Sequence, residues 1–322
     1  AVSAADSGAY DYLPKPFDID HLIETVRRAL QKKPSRGIDA SGKKAEKDET
    51  LPLIGRSVVM QQVYRVISRV MSTDLTVLIN GQSGTGKELV ARALHDLGRR
   101  AKGPFSAITL AAMPRERIET ELFGQIEDGV EVAGKVKAAD GGTLFLDEVG
   151  DMPLEAQTRL LRFLQDGEFT PIGGARPQKV DVRIVASTKH NLRSLIEQGL
   201  FREDLYYRLN VVSVELPPLK ERKEDIPDLA RAFLVRARKE GLPEKALDKS
   251  ALDALAVYDW PGNVRELENI IRRVAALSPE SVITGRELAQ QIQPSRKLAA
   301  AEGEPDFETQ IAALLQRHFA DR

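Results

Sequence analysis

Apolar residues along this chain fall into short β-branched runs alternating with helical periodicity from about residue 51 onward. The runs at 75–80, Phe105–Leu110, Thr143–Leu146, Val180–Ser187 and Val211–Leu216 predict strands, and Ser57–Ser72 predicts a helix before the first of them. Strands alternating with helices predict a parallel sheet with crossovers, an α/β unit over 51–217. From 218 to 292 the pattern turns helical, with periodic segments at 225–240, 248–258 and 263–277. Gly241-Leu242-Pro243 and Trp260-Pro261-Gly262 separate them, which makes this a small helical subdomain. Residues 31–50 and 293–306 have too few large apolar side chains to bury a core and read as linkers. Residues 1–30 carry a strand at Tyr10–Leu13 and a helix from Asp18, too little for a domain. The closing segment 307–322 is a helix whose stripe of Phe307, Ile311, Leu314, Leu315 and Phe319 calls for a partner.

Composition narrows the classes. The 322 residues hold 47 basic and 48 acidic side chains, so no global charge favours nucleic acid or membrane. There is no cysteine, which removes disulfide and thiol chemistry, and the four histidines show no metal-ligand spacing. Nothing approaches 18 consecutive apolar residues and no signal pattern opens the chain, so a cytoplasmic protein without membrane attachment is expected.

The candidate chemistry sits at the end of the first strand. There Gly81-Gln82-Ser83-Gly84-Thr85-Gly86-Lys87 is a G-x-x-x-x-G-K phosphate loop between a strand and a helix opening at Glu88. Its glycines let successive amides curl into an anion nest, the helix N-terminus adds its positive end, and Lys87 reaches the β- and γ-phosphates of a nucleotide. About 60 residues later, Asp147-Glu148 ends another apolar strand. One carboxylate can hold Mg²⁺ through water while the next polarises an attacking water. Glu88 stands where such loops usually carry a Mg²⁺-ligating Ser or Thr, which moves metal binding toward Asp147.

Five ordered motifs, Gly81–Glu88, Glu121-Leu122-Phe123-Gly124, Gly141–Glu148, Phe201–Asn210 and Trp260–Leu267, together resemble the sigma-54 activator AAA+ family. Gly8-Ala9-Tyr10-Asp11-Tyr12-Leu13-Pro14-Lys15-Pro16-Phe17 resembles the last third of a response-regulator receiver domain, with Tyr12 as switch residue and Lys15 beside an upstream phosphoacceptor. Together they resemble NtrC-type nitrogen regulatory response regulators over nearly the whole chain. The resemblance implies a two-component transcription regulator whose AAA+ domains self-associate, from dimer to hexameric ring, with ATP sites between subunits. It implies that Arg202 and Arg208 are arginine fingers for a neighbour's site, Arg265 a lid sensor of the phosphates, and Thr188 the first sensor. Without the resemblance, Thr188 reads as a helix cap. Implied partners are a sensor histidine kinase acting through a full receiver, RNA polymerase, and DNA through a C-terminal domain expected beyond Arg322.

Two departures bear on output. The family carries Gly-Ala-Phe-Thr-Gly-Ala in a loop that grips sigma-54, whereas Gln125–Asp140 here is shorter and contains no such motif. Val130 and Val132 suit a small hairpin instead. Thr109 stands where the family places an asparagine that contacts the catalytic Glu148. The expectation is a regulator that binds and hydrolyses ATP without remodelling sigma-54 polymerase. The alternatives are sigma-54 activation through a different loop, or a non-hydrolysing ATP-binding oligomerisation module.

Overall fold

The computed structural model describes residues 53–292. The expectations for 1–30, 31–50, 293–306 and 307–322, including Tyr12 and Lys15, lie outside the described residues.

Ser57 opens α1 (Val58–Val70): its hydroxyl accepts from the Met60 amide at 3.4 Å, an N-cap that satisfies one of the first turn's free donors. Met60, Val63, Ile67 and Val70 recur every three or four residues and bury one face against the sheet. Each such side chain contributes about 1.5–3 kcal/mol by leaving water. The chain continues through β1 (Val77–Asn80), α2 (Lys87–Asp96), β2 (Phe105–Thr109) and α3 (Arg115–Phe123). A small hairpin, β3 (Gln125–Glu127) with β4 (Val130–Val132), precedes α4 (Lys135–Ala138) and β5 (Thr143–Asp147). After α5 (Leu154–Asp166), the short strands β6 (Glu168–Phe169) and β7 (Gln178–Lys179) pair antiparallel. Then come β8 (Arg183–Thr188), α6 (Leu192–Glu197), α7 (Glu203–Leu209) and β9 (Val212–Glu215).

The main sheet has the order β2-β5-β8-β1-β9, parallel throughout, as the alternating pattern predicts. Every residue of β8 is buried, and so are the first four of β5, because helices cover both faces. The strand expected from Val180 enters the sheet only at Arg183. Before it, the Asp181 amide donates to the Asp140 carboxylate and the Asp181 carbonyl accepts from Gly141, which turns the chain. Arg183 is itself buried. Its guanidinium donates to the carbonyls of Val70 and Leu94 in the last turns of α1 and α2, where helix carbonyls lack intrahelical donors. Burial holds its pKa below the usual arginine value.

The helical subdomain contains α8 (Ile226–Lys239), α9 (Lys249–Val257) and α10 (Asn263–Leu277), with the two-residue strands β10 (Ala246–Leu247) and β11 (Val282–Ile283) paired in parallel, and a further helical stretch over 285–292 that none of the three periodic segments predicted. Asp248 caps α9 by accepting from the Ala251 amide at 2.7 Å. The turn between α9 and α10 is built on Trp260, whose indole N–H donates to the Leu255 carbonyl at 2.9 Å and whose ring meets Tyr258 edge-on. Phe233, Leu234, Leu255, Leu267, Ile270 and Val274 form a core separate from those of the sheet. Among the described residues, no helix is long and apolar enough to cross a membrane.

Candidate active site

Strand order brings the candidate residues together. β8 lies between β5 and β1, so the carboxyl ends of all three are neighbours, and ligands of open parallel sheets bind at such ends. Lys87 begins α2 just after β1, Asp147 ends β5, Glu148 follows it, and Thr188 ends β8.

The loop before Lys87 takes its shape from two glycines. Gly86 has φ 103° and Gly84 φ 77°, backbone that side chains rarely adopt. At Gly84 a Cβ would also lie 2.3 Å from the Gly262 carbonyl oxygen of the lid. Gln82 and Thr85 close a turn, with the Thr85 hydroxyl donating to the Gln82 carbonyl at 2.8 Å. Lys87 Nζ donates to the Gly81 carbonyl at 2.8 Å and stands 3.0 Å from Glu148 Oε1. Both side chains are nearly buried, 7 % and 10 % exposed, so this ion pair is desolvated and its groups are held by further bonds. Glu148 Oε2 accepts from the Lys189 amide at 2.8 Å, and Glu148 itself is left-handed, φ 60°. Asp147 accepts a short hydrogen bond from Ser187 Oγ and remains partly exposed. A cavity of about 510 Å³ beside the loop is lined by Gly81, Gln82, Thr188, Lys189, Arg193 and Glu215.

The remaining candidates divide. Arg265, on the first turn of α10, reaches the loop and donates to Ser83 Oγ at 3.3 Å. Thr188 is buried, and its hydroxyl accepts from the His190 amide at 3.0 Å. It is not the helix cap its sequence suggests, because Asn191 caps α6 by accepting from Arg193 and Ser194. Thr109 pairs in register with Asp147, but its exposed hydroxyl has no hydrogen-bond partner among the described residues, and Glu148 is held by Lys87 and Lys189. Glu88 is turned to Arg92 at 3.3 Å, one helical turn on, rather than to the loop. Arg202 and Arg208 are exposed and are not joined to Lys87 or Glu148. Arg202 forks onto Asp204 at 2.7 and 3.0 Å, and Arg208 donates to the Leu164 carbonyl near the end of α5.

Sequence reasoning missed two residues that close on the loop. Asn263 is wholly buried and donates to Gln82 Oε1 at 3.2 Å and to the Ser83 carbonyl at 3.0 Å. Arg222 donates to the Thr85 carbonyl at 2.9 Å. Asn263 lies inside a motif but looks like a helix start, and Arg222 sits in Lys220–Asp225, a charged run that reads as a solvated face.

Residues 53–215 match the family model of the sigma-54 interaction domain, and residues 220–305 match an AAA+ ATPase lid domain. The chain belongs to the sigma-54 activator AAA+ family. Within it, the chain is 55% identical to the DNA-binding transcriptional regulator NtrC of Azospirillum brasilense, over all of this chain and 67% of that protein. It is 47% identical to NtrC of Escherichia coli K12, over all of this chain and 69% of that protein. The crystal structure of NtrX from Brucella abortus in complex with ADP is 40% identical, with a TM-score of 0.71, over 89% of this chain and 64% of that one. The same protein in complex with ATP gives 39% and 0.70. The chain thus spans about two thirds of the length of these relatives.

Proposed function

We propose that this chain is the ATP-dependent part of an NtrC-type two-component regulator of transcription, acting on nitrogen-assimilation genes, that works without remodelling sigma-54 polymerase. The observation that carries the ATP reading is the desolvated Lys87–Glu148 pair behind a glycine-shaped loop. In this reading Lys87 exchanges Glu148 for the β- and γ-phosphates. Glu148, released, accepts the proton of the water that attacks the γ-phosphorus as the bridging bond to the β-phosphate breaks. The NtrX structures with ADP and ATP support nucleotide as the ligand. Asp147 would hold Mg²⁺ through water, and the ion would supply charge neutralisation at the phosphates. Its partly exposed carboxylate at the strand end fits that task, while Glu88, engaged with Arg92, supplies no hydroxyl ligand.

Arg202 and Arg208 belong to a neighbouring subunit's site in this reading, which accords with their exposure and with the absence of contacts to this chain's own loop. The second part rests on Gln125–Asp140. That interval folds as a hairpin and the short helix α4, with a two-residue Asp128-Gly129 tip and no Phe-Thr pair to grip sigma-54. The whole protein's partners follow as part of the proposal: a sensor kinase, RNA polymerase, and DNA through a further domain.

Steady-state ATP turnover against protein concentration, beside Glu148→Gln, tests the first part. We expect turnover that rises steeply with concentration and is lost in the variant, with ATP binding retained. Binding without turnover at any concentration would leave a nucleotide-gated scaffold instead. Capture of sigma-54 in the presence of a transition-state analogue would sink the second part.

A further inference from the structure

We propose that Asn263 and Arg222 of the lid are positioning residues that shape the phosphate loop from its outer side, so that lid placement sets affinity for the nucleotide's phosphates. This rests on the nucleotide reading above. Peptide planes are rigid and trans, so a loop whose amides converge on an anion turns its carbonyls outward. Those carbonyls need donors of their own.

Here the donors come from the lid for three consecutive residues. Asn263 Nδ2 donates to the Ser83 carbonyl at 3.0 Å. The amides of Val264 and Arg265 donate to the Gly84 carbonyl at 2.9 and 3.2 Å, so the N-terminus of α10 abuts the loop. Arg222 Nη2 donates to the Thr85 carbonyl at 2.9 Å. Both side chains are committed to the task. Asn263 is buried with φ 54°, and its Oδ1 accepts from the Leu219 amide at 2.8 Å. Arg222 is 3 % exposed, and burial holds its pKa below the usual arginine value.

Gly84 completes the junction, because only a residue without Cβ lets the Gly262 carbonyl approach so closely. Neither Asn263 nor Arg222 is placed to touch the nucleotide; each acts through a loop carbonyl. Coupling of this kind is reciprocal, so phosphate binding must also hold the lid in place.

The test is calorimetric titration of the full 322-residue chain with ADP and with adenosine, which lacks the phosphates. Asn263→Asp keeps the acceptor for Leu219 and removes the donor to Ser83; Arg222→Met removes the donor to Thr85, and Arg222→Lys restores one. We expect ADP affinity to fall about tenfold in Asn263→Asp and Arg222→Met. Adenosine affinity should hold, and Arg222→Lys should recover part of the loss. Equal losses for both ligands, or no loss, would overturn the inference. Should a variant not fold by circular dichroism, amide exchange in the wild-type segment 262–266 decides: slowing by ADP and not by adenosine is expected, and no difference overturns it. A wild-type chain that binds no ADP would remove the nucleotide reading itself, and the inference with it.

Discussion

Asp225 shows what one buried carboxylate can organise. It accepts from the amides of Arg56 and Ser57 at 2.7 and 2.8 Å and from the Ser57 hydroxyl at 2.7 Å. Burial, with the Asp225 charge adding to it, pushes the Tyr64 phenol up to about 12, so that group stays neutral. Asp225→Ala would strand these donors and leave Arg222 without its facing charge. We expect a loss of about 3–5 kcal/mol, read as a lower urea midpoint with unchanged m-value. His95 gives a pH prediction. It is 5 % exposed, with Nδ1 3.0 Å from Thr143 Oγ1, and burial lowers its pKa from 6.5. The unfolded chain therefore binds the proton more readily than the folded one. Stability present above about pH 6.5 is lost as pH falls through the lowered value. The Tm of the wild type should drop more steeply below about pH 6.5 than that of His95→Gln; parallel curves would show that His95 is not held neutral.

Among the elements, the β3–β4 hairpin is the one whose form follows from two residues at its tip. Asp128 and Gly129 both have positive φ, 50° and 79°, the geometry a two-residue hairpin requires and an Asp-Gly pair tolerates. The hairpin is then tied to the segment between β6 and β7. Ile126 donates to the Ile172 carbonyl at 2.8 Å, and Ile172 donates to the Gly124 carbonyl at 2.9 Å. Glu131 accepts from Lys137 at 2.8 Å and Gln178 at 3.0 Å, and the Lys137 ammonium holds its pKa below the usual carboxylate value. Glu131→Ala should speed amide exchange across 125–132 while leaving the Tm nearly unchanged, because the tie is solvent-exposed. Unchanged exchange would mean that the backbone bridge to Ile172 suffices alone.

At the scale of the whole molecule, the proposed shared site turns on two arginines. Arg202 and Arg208 have structural partners in their own chain, and the shared-site reading asks them to serve another. Arg202→Ala with Arg208→Ala keeps an intact loop, and Lys87→Ala keeps both arginines. Each protein alone should turn over ATP at least about a thousandfold more slowly than the wild type. Mixing them should recover activity, because some interfaces then combine a good loop with good arginines. No recovery, with both proteins folded and assembled, would place the arginines outside the reaction.

The five strands of the main sheet, the phosphate loop and three of the lid helices were legible in the sequence because each is a local pattern. Strand 77–80 is an apolar run, the loop is a fixed spacing of glycines before Lys87, and α10 over 263–277 is a three-to-four-residue stripe. Asp147 and Glu148 were legible for the same reason, at the end of such a run. That they share the carboxyl edge of the sheet with Lys87 was legible too, but the direct contact of Lys87 with Glu148 was not, since it depends on β8 lying between β5 and β1. Tertiary structure alone also decided which polar side chains are structural. Arg222 meets Thr85 across 137 residues and Asn263 meets Gln82 across 181, distances over which no periodicity carries information. A buried donor is defined by the carbonyl it finds, and that carbonyl exists at its place only once the lid has closed on the loop.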